Sequence, residues 1–258
     1  MDLGLKGKKV LIVGASKNIG AAITRFLVKE GAAAFLVSRD EDKLKALCSE
    51  IGGREAGHNY LATDLRMEGK PTEVAQAALR WADGVDVIIH NVGGALGYKD
   101  ILGARSEWED VWRFNVGIAI EINRILIPSM RQRKWGRLVH ISSMAGQLGE
   151  PLRPFGGALP YVAAKAYLNS YVKGLGAALA VDNVVVSGVM PGVVLSQGKF
   201  WEKMQQNEPQ LVKDFLDHYC PAGRFGKPEE IAPFVVLLAS EYASFASGAL
   251  IPLSGGQV

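Results

Sequence analysis

Residues 9–20 read Lys9-Val-Leu-Ile-Val-Gly-Ala-Ser-Lys-Asn-Ile-Gly20, and this stretch decides the fold. Lys9–Val13 is a short apolar run without polar alternation, which suits a strand covered on both faces. It passes directly into a turn of small residues and then into a helical pattern over 19–30. Small residues let the backbone approach a pyrophosphate, and the unpaired N–H groups of a helix start face its charge. Gly14, Ser16, Lys17, Asn18, Ile19 and Gly20 are therefore candidate cofactor-binding residues. Asn18 is compatible with such a turn, because asparagine tolerates left-handed backbone geometry better than most residues.

The same rhythm continues along the chain. Apolar runs recur at 33–38, 59–63, 85–90, 137–142, 184–190 and 249–253, with helical patterns over 40–51, 71–82, 107–133, 160–180 and 228–239. Strand–helix alternation predicts an α/β fold: a Rossmann-type, doubly wound parallel sheet of about seven strands, flanked by helices on both faces. No repeat or linker divides it, so 1–258 reads as a single dinucleotide-binding domain. Two stretches break the rhythm. Residues 144–160 are rich in Gly and Pro and predict a loop. Residues 193–227 follow a strand and carry Phe200, Trp201, Phe215 and Tyr219; they either pack on the domain or form a substrate lid.

Composition narrows the function classes. The chain has 258 residues, 48% of them hydrophobic, and a formal net charge of only +3. That is enough apolar material for a sizeable core, and the charge balance argues against a nucleic-acid binder. One basic cluster, Arg131, Arg133, Lys134 and Arg137, reads as a solvated helix end or, more sharply, as a dock for an acidic carrier. Cys48 and Cys220 stand far apart, and no set of residues has convincing metal-ligand spacing, so no metal is expected. The N-terminal stretch lacks a secretory signal and no apolar run is long enough for a membrane helix, so a cytoplasmic protein without a membrane partner is expected.

The second strand ends in Ser38 and Arg39. A dinucleotide without a 2′-phosphate usually meets a carboxylate at this place, whereas a guanidinium suits a phosphate. Ser38, Arg39 and Lys17 thus favour NADP(H) over NAD(H), although Asp40 and Asp42 in the same loop could instead hold a ribose diol. Further on, Tyr161 and Lys165 are spaced i, i+4, which puts phenol and ammonium on one helix face. A nearby ammonium is expected to lower the phenol's pKa and make it a usable acid/base.

With these marks in order, the chain resembles the short-chain dehydrogenases/reductases over essentially its whole length. The resemblance rests on the turn at 13–20, Asp64-Leu65, His90-Asn-Val-Gly93, Asn115, Ser142-Ser143, Tyr161 with Lys165, Pro191-Gly192, the run 224–232 and the ending Ser254-Gly-Gly256. It implies that Ser143 bonds the substrate oxygen, that Tyr161 is the acid/base, that Lys165 binds the nicotinamide ribose, and that Asn115 holds a water linking Lys165 to solvent. It further implies that Asp64 and Leu65 contact adenine, that Asn91, Val92 and Gly93 pass along the adenosine ribose and pyrophosphate, and that Pro191, Gly192, Val194 and Ser196 meet the nicotinamide end. His90 stands where the family often has Asn, and the 18-residue gap from Ser143 to Tyr161 is longer than usual, which predicts that the 149–160 loop shapes substrate choice.

The resemblance is closest to 3-oxoacyl-carrier-protein reductases. It implies an NADP(H)-dependent oxidoreductase acting on a small-molecule or carrier-bound carbonyl, as a homo-oligomer, tetramer or dimer, that buries the two long helices. A sugar, polyol or secondary-metabolite ketone is the alternative substrate. A non-catalytic NADP-binding sensor or scaffold is the alternative of another class, and retention of Tyr161, Lys165, Ser143 and Asn115 weighs against it.

Overall fold

β1 (Lys9–Val13) lies in the middle of a seven-stranded, all-parallel sheet with order β3-β2-β1-β4-β5-β6-β7. The computed structural model describes residues 1–98, 100–149, 158–196, 198 and 200–257. From β1 the chain winds outward through α1 (Asn18–Lys29), β2 (Ala33–Ser38), α2 (Glu41–Glu50) and β3 (Asn59–Ala62). α3 (Lys70–Ala82) returns it to β4 (Val87–His90) on the other side of β1. The second half adds β5 (Gly136–Ile141), β6 (Val184–Pro191) and the edge strand β7 (Leu250–Leu253). The strand order reverses between β1 and β4, and a crevice opens there at the strands' C-terminal ends.

The strands are continuous apolar runs because both faces are covered. On one face α1, α2 and α10 (Pro228–Leu238) bury Ile23, Leu27, Leu44, Ile231 and Val235 against Val10, Ile12 and Leu36. On the other, α3, α5 (Ile118–Gln132) and α7 (Leu159–Leu179) bury Val74, Ile122, Leu126, Leu168 and Val172 against Leu11, Val13 and Ile88. Each such fully buried side chain contributes about 1.5–3 kcal/mol relative to exposure.

The single helix expected over 107–133 is broken. α4 (Arg105–Trp112) passes through a π turn, Arg113–Gly117, into α5. Asn115 sits in that wider turn and its Nδ2 bonds the Val111 carbonyl at 2.8 Å. The expected loop at 144–160 also begins and ends as helix. Ala145–Leu148 forms one turn, α6, closed by Gly149 at φ 70°, and Leu159-Pro160 starts α7, where a proline fits because no partner is needed for its missing N–H. Residues 150–157 of the extended loop lie outside the described residues.

After β6, α8 (Phe200–Asn207) and α9 (Pro209–Tyr219) build a small core of their own. Trp201 stacks on Phe215 at 4.7 Å and packs with Val193, Val212 and Phe225. The aromatics of 193–227 that the structure describes thus pack on one another. Arg137, read from sequence as part of a basic face, is instead buried: its guanidinium donates to the carbonyls of Ser240, Gly136 and Asn183. Arg131 and Lys134 pair with Asp182, and Arg133 pairs with Asp86, so that cluster is largely neutralised. Among the described residues no helix is long and apolar enough to cross a membrane.

Candidate active site

The turn after β1 is held closed by its own atoms. Gly14 takes φ +90°, and a Cβ on Gly20 would lie 2.0 Å from the Gly14 carbonyl oxygen, so α1 starts in contact with the turn only because residue 20 has no side chain. Asn18 adopts φ 53°, the left-handed geometry its side chain tolerates. Asn91, just beyond β4, donates from Nδ2 to the Gly14 carbonyl at 2.8 Å and pins the turn from across the crevice. The result is a cleft of about 490 Å³.

That cleft gathers most of the expected cofactor residues. Gly14, Ser16, Lys17, Asn18, Ile19, Ser38, Arg39, Asp64, Leu65, Asn91, Val92, Gly93 and Ser196 all line it. Of the expected cofactor residues, Gly20, Tyr161, Lys165, Pro191, Gly192 and Val194 are not among its lining residues. The Pro191 carbonyl accepts from the Met144 N–H, Gly192 N–H donates to Leu253, and Val194 bridges to Gly226. Asp40, weighed from sequence as a possible holder of a ribose diol, also lines the cleft, as do Thr63 and Phe114, which were not singled out from sequence. Thr63 directly follows β3, and Phe114 directly precedes Asn115; position beside a recognised residue was the available signal.

Charge at the Ser38–Arg39 end of the cleft is arranged by carboxylates that are already occupied. Asp40 caps α2, accepting from the Lys43 N–H at 3.1 Å, and pairs with the Lys43 ammonium. Its own N–H donates to Ser38 Oγ at 3.2 Å. Asp64 accepts three bonds from the Arg66 guanidinium, at 3.0, 3.1 and 2.6 Å, and stands 3.9 Å from Arg39. The bonds from Arg66 hold its carboxyl down at about 2. Arg39 remains largely exposed at the cleft rim.

The acid/base candidates gather beside Gly93, at the edge of this cleft. Tyr161 and Lys165 rise from the first turns of α7, and Lys165 Nζ lies 5.7 Å from the centre of the Tyr161 ring. Ser143, two residues past β5, stands within hydrogen-bonding reach of the Tyr161 phenol and also accepts from the Ala145 N–H at 3.2 Å. Burial raises the phenol's pKa, and the Ser143 bond draws it only part of the way back. The phenol's net shift is therefore upward, because burial outweighs the lowering groups around it. Lys165 is itself buried and pushed down to about 7 by desolvation, with Nζ donating to the Ile141 carbonyl at 2.8 Å.

Asn115 meets this group from the π turn. Its Oδ1 accepts from the Gly94 N–H at 3.0 Å, and its Nδ2 donates to Gly94 O and Val111 O. A Cβ on Gly93 would lie 2.5 Å from Asn115 Oδ1 and 3.1 Å from Lys165 Nζ, so glycine is what lets the strand-end loop, the amide and the ammonium converge. The four expected catalytic residues thus come from β5, the π turn and α7 to one place at the end of the sheet.

A sequence profile of the short chain dehydrogenases matches residues 8–207. The chain is 28% identical over 257 residues to a 3-oxoacyl-[acyl-carrier-protein] reductase of Aquifex aeolicus, covering 99% of both chains. Its fold superposes with a TM-score of 0.87 on a 3-oxoacyl (acyl-carrier-protein) reductase from Agrobacterium tumefaciens with NADP bound, at 28% identity and with 99% and 96% of the two chains covered. It is as similar, at TM-score 0.87 and 29% identity over 100% of this chain and 98% of the other, to an L-sorbose reductase from Gluconobacter frateurii complexed with NADPH and L-sorbose.

Proposed function

The chain belongs to the short-chain dehydrogenase family, and from that premise we propose that it is an NADPH-dependent reductase of a ketone, with a carrier-bound 3-oxoacyl group as first candidate substrate. The observation that carries the reading is the half-buried Tyr161 phenol, bonded to Ser143 and one helical turn from Lys165. The cleft residues fit the cofactor. The Gly14–Gly20 turn offers a side-chain-free cradle and a helix start for the pyrophosphate. Arg39 and Lys17 offer positive charge at the rim, and Asp40, already engaged as a helix cap, is poorly placed to take a ribose diol.

Bound NADPH supplies a hydride to the carbonyl carbon. Tyr161 donates its phenolic proton to the carbonyl oxygen as charge builds there. The Ser143 hydroxyl bonds the same oxygen and fixes its direction. Lys165, when protonated, stabilises the phenolate left on Tyr161 and so makes the donation easier. Both amide hydrogens of Asn115 are used by Gly94 and Val111. A water relaying protons between Lys165 and solvent would therefore bond the backbone of the π turn or the remaining lone pair of Oδ1.

The substrate class draws support from the reductases of 3-oxoacyl carriers that match nearly the full chain. The equal likeness to an L-sorbose reductase makes a sugar the second arm of the test. NADPH consumption followed with a panel of 3-oxoacyl thioesters and ketoses, beside NADH, decides between them. Turnover of a thioester, with a Tyr161→Phe variant that binds NADPH but is slower by at least about 10²-fold, is the expected result. NADPH binding without turnover of any carbonyl would return the chain to a sensor or scaffold.

A further inference from the structure

Two buried imidazoles lie behind the acid/base group and have no part in the chemistry above. His90 and His140 face each other across the β4–β5 ladder, and their rings stack at 4.6 Å and 19°. His90 Nε2 is 2.8 Å from Asn123 Oδ1, and Asn123 Nδ2 donates to the Tyr171 hydroxyl at 3.1 Å. The asparagine's acceptor end therefore faces His90, so Nε2 carries the ring proton and Nδ1 is left as an acceptor. The ring of His140 meets Tyr171 edge-on at 5.9 Å. A belt of side chains thus leaves α7 at Tyr171, passes through α5 and β4, and reaches β5 at His140, one residue before the carbonyl that holds Lys165.

His140 is fully buried, and neither of its ring nitrogens has a hydrogen-bond partner among the described residues. Buried polar atoms in folded proteins are nearly always satisfied, by ordered water where not by protein. Beside the pair lies a small cavity of about 10 Å³, lined by His90, His140, Asn115 and apolar residues including Val13, Ala119 and Leu168. That is room for one water molecule, and the lining supplies polar partners for it. We propose that this cavity holds a single water bonded to the His90–His140 pair, and that His140, through this polar pocket, is a positioning residue for Lys165.

The physical effect is on the ammonium. Burial already disfavours a charge on Lys165, and a polar pocket behind it offsets part of that penalty. The titratable groups around Lys165 are Tyr161 on its own helix, His140 on β5 and, behind it, His90 on β4; the π turn and α5 contribute the uncharged Asn115 and Asn123. Burial pushes both imidazoles well below their usual range, His90 to about 4, so they stay neutral and do not repel the ammonium. Replacing His140 by an apolar ring removes the polar pocket. Lys165 then loses its proton at lower pH, and Tyr161, deprived of the charge that stabilises phenolate, ionises at higher pH.

The rate arm of the test rests on the reductase reading, and the titration arm does not. His140→Phe and His140→Asn are compared with wild type for NADPH affinity, kcat, KM and the pH dependence of kcat. The ionisation of Tyr161 is read separately as phenolate absorbance, by difference against Tyr161→Phe in each background. For His140→Phe the expected result is NADPH affinity and KM within about twofold of wild type and kcat lower by at least about tenfold. Its alkaline limb moves to lower pH while Tyr161 ionisation moves to higher pH. His140→Asn, which keeps a polar group, restores most of each. If phenylalanine prevents folding, His140→Val carries the same comparison. Unmoved limbs and an unmoved phenolate in the apolar variant overturn the proposal, as does a high-resolution crystal structure with a dry cavity. Absence of turnover in wild type overturns the reductase reading alone, and the phenolate titration still decides this one.

Discussion

Lys165 Nζ donates to the carbonyl of Ile141 at 2.8 Å, so the only cation of the catalytic group is tied to the end of β5 by one neutral bond. Burial has lowered its pKa to about 7, whereas an unfolded lysine titrates near ~10.4. Between those two values the unfolded chain binds more protons than the native one, so stability from this site rises with pH across that window. Below it the full cost of a buried charge is present. Lys165→Met removes that cost. The variant is expected to be inactive, and to melt higher than wild type near pH 6, by about 2–4 °C for each kcal/mol regained. The advantage should shrink steadily towards pH 9. A difference in melting temperature that stays constant over this range would contradict the assignment.

The closeness of α1 to the phosphate turn gives a second expectation. Gly20→Ala would place a methyl group 2.0 Å from the Gly14 carbonyl oxygen, and 2.7 Å from Asn91 Nδ2. Neither the backbone carbonyl nor the amide bonded to it can yield cheaply, so the helix start must lift away. Destabilisation of about 1–3 kcal/mol is expected. NADPH affinity should fall at the same time if, as proposed, the displaced N–H groups are those that receive the pyrophosphate. Chemical denaturation and NADPH fluorescence titration measure the two losses. Loss of stability with unchanged NADPH affinity would separate this turn from the cofactor.

Much of this site was legible in the residues, and the reasons for the rest are physical. β1 and β2 were readable to their ends because Lys9–Val13 and Ala33–Ser38 are apolar runs buried on both faces, and nothing else in the chain competes for that pattern. The π turn at Arg113–Gly117 was not, since a widened helical turn leaves the apolar periodicity nearly intact. Arg137 looked like surface charge because its partners are backbone carbonyls, which carry no sequence signature. His90 and His140 were each visible as strand residues, but their stacking follows from the β4–β5 register, which only the fold supplies. The Asp64–Arg66 clamp was not legible either, because an i, i+2 pair of opposite charges bonds only when the loop turns both side chains to one side.

α4 and α7 also carry an apolar surface that wants a partner. Trp112 and Tyr167 meet edge-to-face at 5.9 Å while remaining 39% and 49% exposed. A second copy of the chain packed on this face would bury both. Sedimentation at micromolar concentration is expected to give a dimer or tetramer, and a Trp112→Glu, Tyr167→Glu double variant to shift it towards monomer. A wild-type monomer would contradict the expectation.

The choice between the two nicotinamide cofactors turns on Arg39. Its guanidinium stands at the cleft rim, 3.9 Å from an Asp64 carboxylate that already accepts three bonds from Arg66. Arg39 is thus held at the cleft rim without being consumed there, and Asp40 is engaged in capping α2. If its role is to meet a 2′-phosphate, Arg39→Asp removes an attraction that only NADPH feels and adds a repulsion that only NADPH feels. The affinity for NADH, which presents hydroxyls there, can improve, since a carboxylate accepts from a ribose diol. The measurable quantity is the ratio of the two dissociation constants, which cancels any general damage to the cleft. A charge-assisted bond of about 1.5–3 kcal/mol corresponds to a change in that ratio of at least about tenfold. Parallel losses for both cofactors would mean that Arg39 serves the loop rather than the phosphate.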